Sequence, residues 1–174
     1  MNEGAVPEGI LYIAQEGPLA MMRVEGNGVR NLAEGFDNWI SHLEASEDIN
    51  CVIVDLSSCV YMDSTFMGLL VKLARLLMHR STLLIANASS SHRELLEGIG
   101  VMRGWKYVDR QVECSNWSSL CDALTGKLNV RLVVELHEGL VNWDEKNKKF
   151  IPFVELGKAE LARREQMEED DDED

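Results

Sequence analysis

A chain of 174 residues, 45% of them hydrophobic, can bury one core of ordinary size, which points to one domain with an appendage. A net charge of −13 and a pI near 4.7 exclude nucleic acid as the direct ligand, because phosphate binding needs clustered Lys and Arg. No apolar run reaches the length of a membrane span, so a soluble, cytoplasmic protein is expected.

Ile10 to Gln15 and Leu19 to Val24 are short apolar stretches on either side of Glu16-Gly17-Pro18, the pattern of two strands joined by a turn. Gly26-Asn27-Gly28 lacks the third glycine and the downstream acid of a nucleotide fingerprint and reads as a tight turn. From Val29 to Leu43 the apolar residues Leu32, Phe36, Trp39, Ile40 and Leu43 recur at three and four, one face of an amphipathic helix.

Cys51 to Leu56, rich in Val and Ile, reads as a buried strand. Asp63, Ser64 and Thr65 are residues that favour a helix start, and a helix is expected from about Ser64 to His79. Thr82 to Ala86 is the next strand. Ser91 to Glu94 fits a capping box, with Leu95, Leu96 and Ile99 as the apolar face behind it and Gly98 and Gly100 at the end. Trp105 to Val108 makes a weak last strand. Ser115 or Asn116 is placed to cap a further helix through Leu124, closed by Gly126.

Alternation of strands and helices after an opening hairpin implies an α/β fold: a mixed, mostly parallel sheet of four to five strands carrying about four helices. The domain is expected to span residues 1–126. Residues 127–167 carry helical patterns over Val130 to Trp143 and about Glu145 to Gln166, with Pro152 tolerable only in the first turn or two. This extension is expected to pack on the domain or on another copy of it. The final run EEDDDED, residues 168–174, repels itself and is expected to be a disordered acidic tail.

The four cysteines, Cys51, Cys59, Cys114 and Cys121, have no CxxC spacing and follow no signal peptide, so reduced thiols are expected. His137 in ELHEG lacks the second histidine of a zinc-protease helix, and no metal or cofactor is expected.

The helix after Asp63 is apolar over most of its circumference. Ser64 or Thr65, then Gly68, Lys72, Arg75 and His79, interrupt it at steps of three and four, a narrow stripe expected to face solvent. Gly68 costs a helix about 1 kcal/mol relative to alanine, and close approach of another backbone would explain it. As a nucleophile Ser64 lacks a GxSxG elbow, and His79 lies some four turns away at about 5.4 Å each, so no enzyme is expected.

The segment DLSSCVYMDSTFMG resembles the core signature of STAS domains of the bacterial anti-sigma factor antagonist type, through Asp55, Ser57, Met62, Asp63, Ser64, Thr65 and Gly68. The resemblance covers roughly residues 8 to 125. Phe66 stands where many antagonists have glycine, either altering the partner surface or belonging to the core. The resemblance implies a switch. The unmodified protein would bind an anti-sigma factor with serine kinase activity, phosphorylation of Ser64 would end the binding, and a phosphatase would restore it. Asp55, Ser57, Asp63, Ser64, Thr65, Gly68, Lys72 and Arg75 are then the expected partner contacts. It also allows a non-catalytic scaffold or regulatory subunit of a larger assembly, a stressosome or a transporter, with the C-terminal helices building a homo-oligomer.

Overall fold

The computed structural model describes residues 9–100, 103–120 and 129–171. The chain opens with the hairpin read from sequence: β1 (Ile10–Glu16) and β2 (Leu19–Gly28) pair antiparallel around Gly17, whose φ of 57° glycine adopts without steric cost. A short 3-10 turn, Arg30–Leu32, leads into α1 (Ala33–Ala45). Then come β3 (Cys51–Met62), α2 (Ser64–Leu77), β4 (Thr82–Ala86), α3 (Ser90–Gly98) and β5 (Lys106–Val108). The two-residue β6 (Ser118–Ser119) precedes α4 (Val130–Trp143), a 3-10 turn at Glu145–Phe150, and α5 (Ile151–Asp171).

The sheet runs β5-β4-β3-β2-β1-β6, with β2, β3, β4 and β5 parallel and both partners of β1 antiparallel. Among the described residues six strands form where four to five were expected. The additional one is β6, which pairs Ser118 and Ser119 with Ile13 and Tyr12, inside the segment read as the start of a helix. The rest of that expected helix, from 121 through Leu124 and its closing Gly126, lies outside the described residues.

Gly26-Asn27-Gly28 is not a tight turn. It continues β2, irregular in register, beside Cys59, Tyr61 and Met62, and this pairing carries β3 six residues past the expected end at Leu56. The capping box forms two residues earlier than read, between Ser89 and His92. Pro152 is the second residue of α5, where its missing N–H costs nothing. That helix runs to Asp171, into the acidic run expected to be disordered.

One core cluster unites α1, α2, the sheet and the extension: Phe36, Trp39, Val52, Val54, Phe66, Leu69, Leu70 and Leu73 pack together with Leu132, Leu136 and Leu140 of α4. The extension therefore packs on its own domain. No described helix is long and apolar enough to cross a membrane.

Candidate functional site

Asp63 stops β3 and starts α2. Its main-chain N–H donates to Gly28 O at 3.0 Å, and its extended backbone leaves the side chain over the first turn. Oδ1 accepts from Phe66 N at 2.9 Å and Oδ2 from Arg30 N at 3.0 Å, so one carboxylate caps α2 and anchors the turn before α1. Phe66 is fully buried against Phe36, at 5.3 Å between ring centroids, and a Cβ on Gly28 would lie 3.0 Å from its ring. Phe66 is core, and Gly28 is the residue that admits it.

With the cap supplied by Asp63, Ser64 is the first helical residue and is half-buried. Its Oγ lies 2.9 Å from Nε2 of His137, in α4, 73 residues along the chain. The other ring nitrogen, Nδ1, is 2.7 Å from Val133 O. A carbonyl oxygen only accepts, so Nδ1 carries the hydrogen and Nε2 takes the hydroxyl proton of Ser64 as a hydrogen bond. Burial pushes the His137 pKa below 6.5, against the pull of the Val133 carbonyl and the Asp63 charge, which holds the ring neutral. Phe150 and Phe153 close over the ring, at 5.3 and 4.4 Å between centroids.

The stripe expected to face solvent is covered in its first half. Gly68 is buried, and a Cβ there would come 3.0 Å from Leu136 Cβ and 3.1 Å from Leu136 O. The second backbone that Gly68 was expected to admit is the chain's own α4. Thr65 is buried too. Lys72 and Arg75 remain exposed: Lys72 Nζ meets Asp37 Oδ1 at 2.5 Å, and the Arg75 guanidinium lies 5.6 Å from the Trp143 ring centroid. Together with Gly68, Val71, Glu135 and Gly139 they line a groove of about 220 Å³ between α2 and α4.

Asp55 stands apart from this face. It is 1% exposed and lies eight residues before Asp63 on β3, about 25 Å of extended chain. Oδ2 accepts from Arg23 Nε at 3.0 Å, and Oδ1 from Asn87 Nδ2 at 2.9 Å and Ser57 N at 3.0 Å. Arg23 in turn donates to Val112 O at 2.6 Å and lies 4.6 Å from the Trp117 ring centroid. Asn87, held at a positive φ of 56°, bonds main-chain atoms of Arg110. Asp55 is thus a buried tie between β2, β3 and the turn after β4. Ser57 is exposed, with its N–H committed to Asp55.

Of the residues singled out from sequence, Asp63, Ser64, Thr65, Gly68, Lys72 and Arg75 share α2 and its cap; Lys72 and Arg75 offer exposed side chains for contact, while the half-buried Ser64 is engaged by His137. His137 was not foreseen. Nothing local to ELHEG links it to position 64; the only signal is that, with Val133, Leu136 and Leu140, it falls on the apolar face of its helix.

The STAS domain model matches residues 12–106, more than half of the chain. No curated protein sequence matches it. Among solved structures, the anti-sigma factor antagonist SpoIIAA in its unphosphorylated form is similar over 59% of this chain and 89% of its own, with a TM-score of 0.51 and 17% identity. The phosphorylated form of SpoIIAA, described as a Bacillus cell fate determinant, covers 58% and 91% at the same score and identity. An anti-sigma factor antagonist from Mycobacterium paratuberculosis covers 57% and 86%, with a TM-score of 0.51 and 14% identity. At these identities the likeness is one of fold. With the sheet order, the helix opened by Asp63 and the family match over residues 12–106, the chain belongs to the STAS domain family.

Proposed function

We propose that the protein is an anti-sigma factor antagonist that binds an anti-sigma factor with serine kinase activity when Ser64 is unmodified and is switched off when Ser64 is phosphorylated. The observation that carries this reading is the division of labour at the start of α2. Asp63 caps the helix, which leaves the adjacent hydroxyl of Ser64 free of any duty in forming it. The similarity to an anti-sigma factor antagonist, solved in both unphosphorylated and phosphorylated forms, supports that role.

A phosphate adds about 1.5 to 2 negative charges at neutral pH. The helix N-terminus tolerates such a group, but a partner closed over a neutral hydroxyl beside Asp63 would meet repulsion and desolvation. About 1.4 kcal/mol is lost per tenfold in affinity, so a few kcal/mol empties the complex. Lys72 and Arg75, exposed on the same helix, would extend the contact, and Ser57 is exposed on β3. Asp55 acts only through the turn it holds. A phosphatase would reset the switch.

Pull-down from the native cell extract with wild type, Ser64→Ala and Ser64→Asp tests the reading. Alanine is expected to retain a partner with a histidine-kinase-like ATP site and aspartate to lose it; equal recovery by all three overturns the switch. The Ser64–His137 pair has the spacing of a nucleophile and its base. Ester turnover abolished by Ser64→Ala would replace the switch with a hydrolase.

A second reading, a scaffold or regulatory subunit of a larger assembly, draws on α5, where Ile151, Phe153 and Leu156 are exposed. Size-exclusion chromatography with light scattering separates the two, since an assembly subunit would elute as an oligomer.

A further inference from the structure

We propose that the C-terminal helices, residues 130–171, are a self-docked arm that occupies the Ser64 face of α2, and that phosphorylation of Ser64 and docking of this arm exclude one another. This rests on the reading of Ser64 as the modified residue and adds what regulates access to it.

The geometry is that of a resident partner. Gly68, the one position where α2 permits close backbone approach, is filled by Leu136 of α4. The Ser64 hydroxyl is spent on His137, and Phe153 packs against that ring. Any protein docking along α2 from Ser64 to Gly68 must first displace α4.

The exclusion follows from proton bookkeeping at one contact. His137 Nδ1–H is committed to Val133 O, so Nε2 presents a lone pair toward residue 64. A serine hydroxyl has a proton to give it. A phosphoserine dianion has only acceptor oxygens, and its bulk exceeds a hydrogen-bond gap of 2.9 Å. The contact survives only if His137 takes up a proton, which its burial among Phe150, Phe153 and α2 opposes, or moves its hydrogen to Nε2 and gives up the bond to Val133 O. The buried side chains of Leu132, Leu136 and Leu140 hold the arm down. The phosphate acts against that hold and shifts the population of the open state, which amide exchange reads even when it is rare.

The test uses the full chain with phosphoserine installed at position 64 during synthesis, so that neither kinase nor partner is needed. Hydrogen–deuterium exchange of α4 amides is expected to quicken at least about tenfold, equivalent to about 1.4 kcal/mol of docking, with β3 and β4 amides unchanged. Ser64→Ala, which removes the hydroxyl but adds no charge, is expected to stay within about threefold of wild type, below that tenfold step. If the phosphoserine chain does not fold, Ser64→Glu carries the same readout. Unchanged α4 exchange in the phosphoserine chain overturns the exclusion, as does an alanine variant as open as the phosphorylated chain. An open arm in this experiment combined with equal recovery in the pull-down would leave the arm standing and remove the switch.

Discussion

His137 and His92 are both buried histidines, and in both burial is the main reason the pKa falls below 6.5. His137 sits between Ser64, the Val133 carbonyl, the Asp63 charge and two phenyl rings. His92 lies in the capping box, where Nδ1 accepts from Ser89 N at 3.3 Å, and a main-chain contact with Val60 opposes the shift. A histidine whose folded pKa lies below its unfolded one contributes its full stability above about pH 6.5 and loses it as pH falls toward the folded value. Stability is therefore expected to decline between pH 7 and 5, by at most about 1.4 kcal/mol per pH unit for each histidine. Urea unfolding at pH 7.5, 6.5 and 5.5 reads the slope, and His137→Gln should flatten it while leaving the part that belongs to His92. A variant slope equal to wild type would mean that residue 137 is protonated in the fold.

At the scale of elements, α2 is where local pattern and tertiary packing agree best. Its start at Ser64 and its apolar circumference were legible because capping and periodicity are written within one or two turns. The length of β3 was not, since Ser57 to Met62 look like a loop until the irregular end of β2 pairs with them. The two-residue β6 likewise exists only because β1 offers an edge. The stripe on α2 was expected to face solvent, and Lys72 and Arg75 do, but its first half is covered by α4, an occupant beyond any local signal. Gly68 makes this measurable. Alanine is favoured over glycine by about 1 kcal/mol inside a helix, yet here the new methyl meets Leu136 Cβ and the Leu136 carbonyl at 3.0 and 3.1 Å. Gly68→Ala is expected to lower stability by about 1–2 kcal/mol, as overpacked sites do. A gain in urea midpoint would show that α4 yields at no cost.

For the whole molecule, the question is what holds the arm in register so that His137 meets Ser64 and not a residue one turn away. The joint is the 3-10 turn between α4 and α5. Asn147, with no exposed surface, donates through Nδ2 to Leu140 O at 2.8 Å and to Ile99 O at 3.0 Å, tying the end of α4 to the end of α3. Asp144 packs beside Gly100, where a Cβ would fall within 2.5 Å of the carboxylate and where φ is 81°, so only glycine lets the turn sit against the domain. Further out, the ion pairs Arg131–Glu165 and Lys158–Glu138 are exposed and add little. The register therefore depends on the leucine face of α4 and on one buried amide. Asn147→Ala would take its donor from Ile99 O and leave Leu140 O only the 3.4 Å bond from Asp144 N, an expected loss of about 2 kcal/mol in urea unfolding, and would quicken exchange in α4 more than in β3. If α4 kept its protection while stability fell, the leucines alone would set the register, and the amide would serve the end of α3 instead.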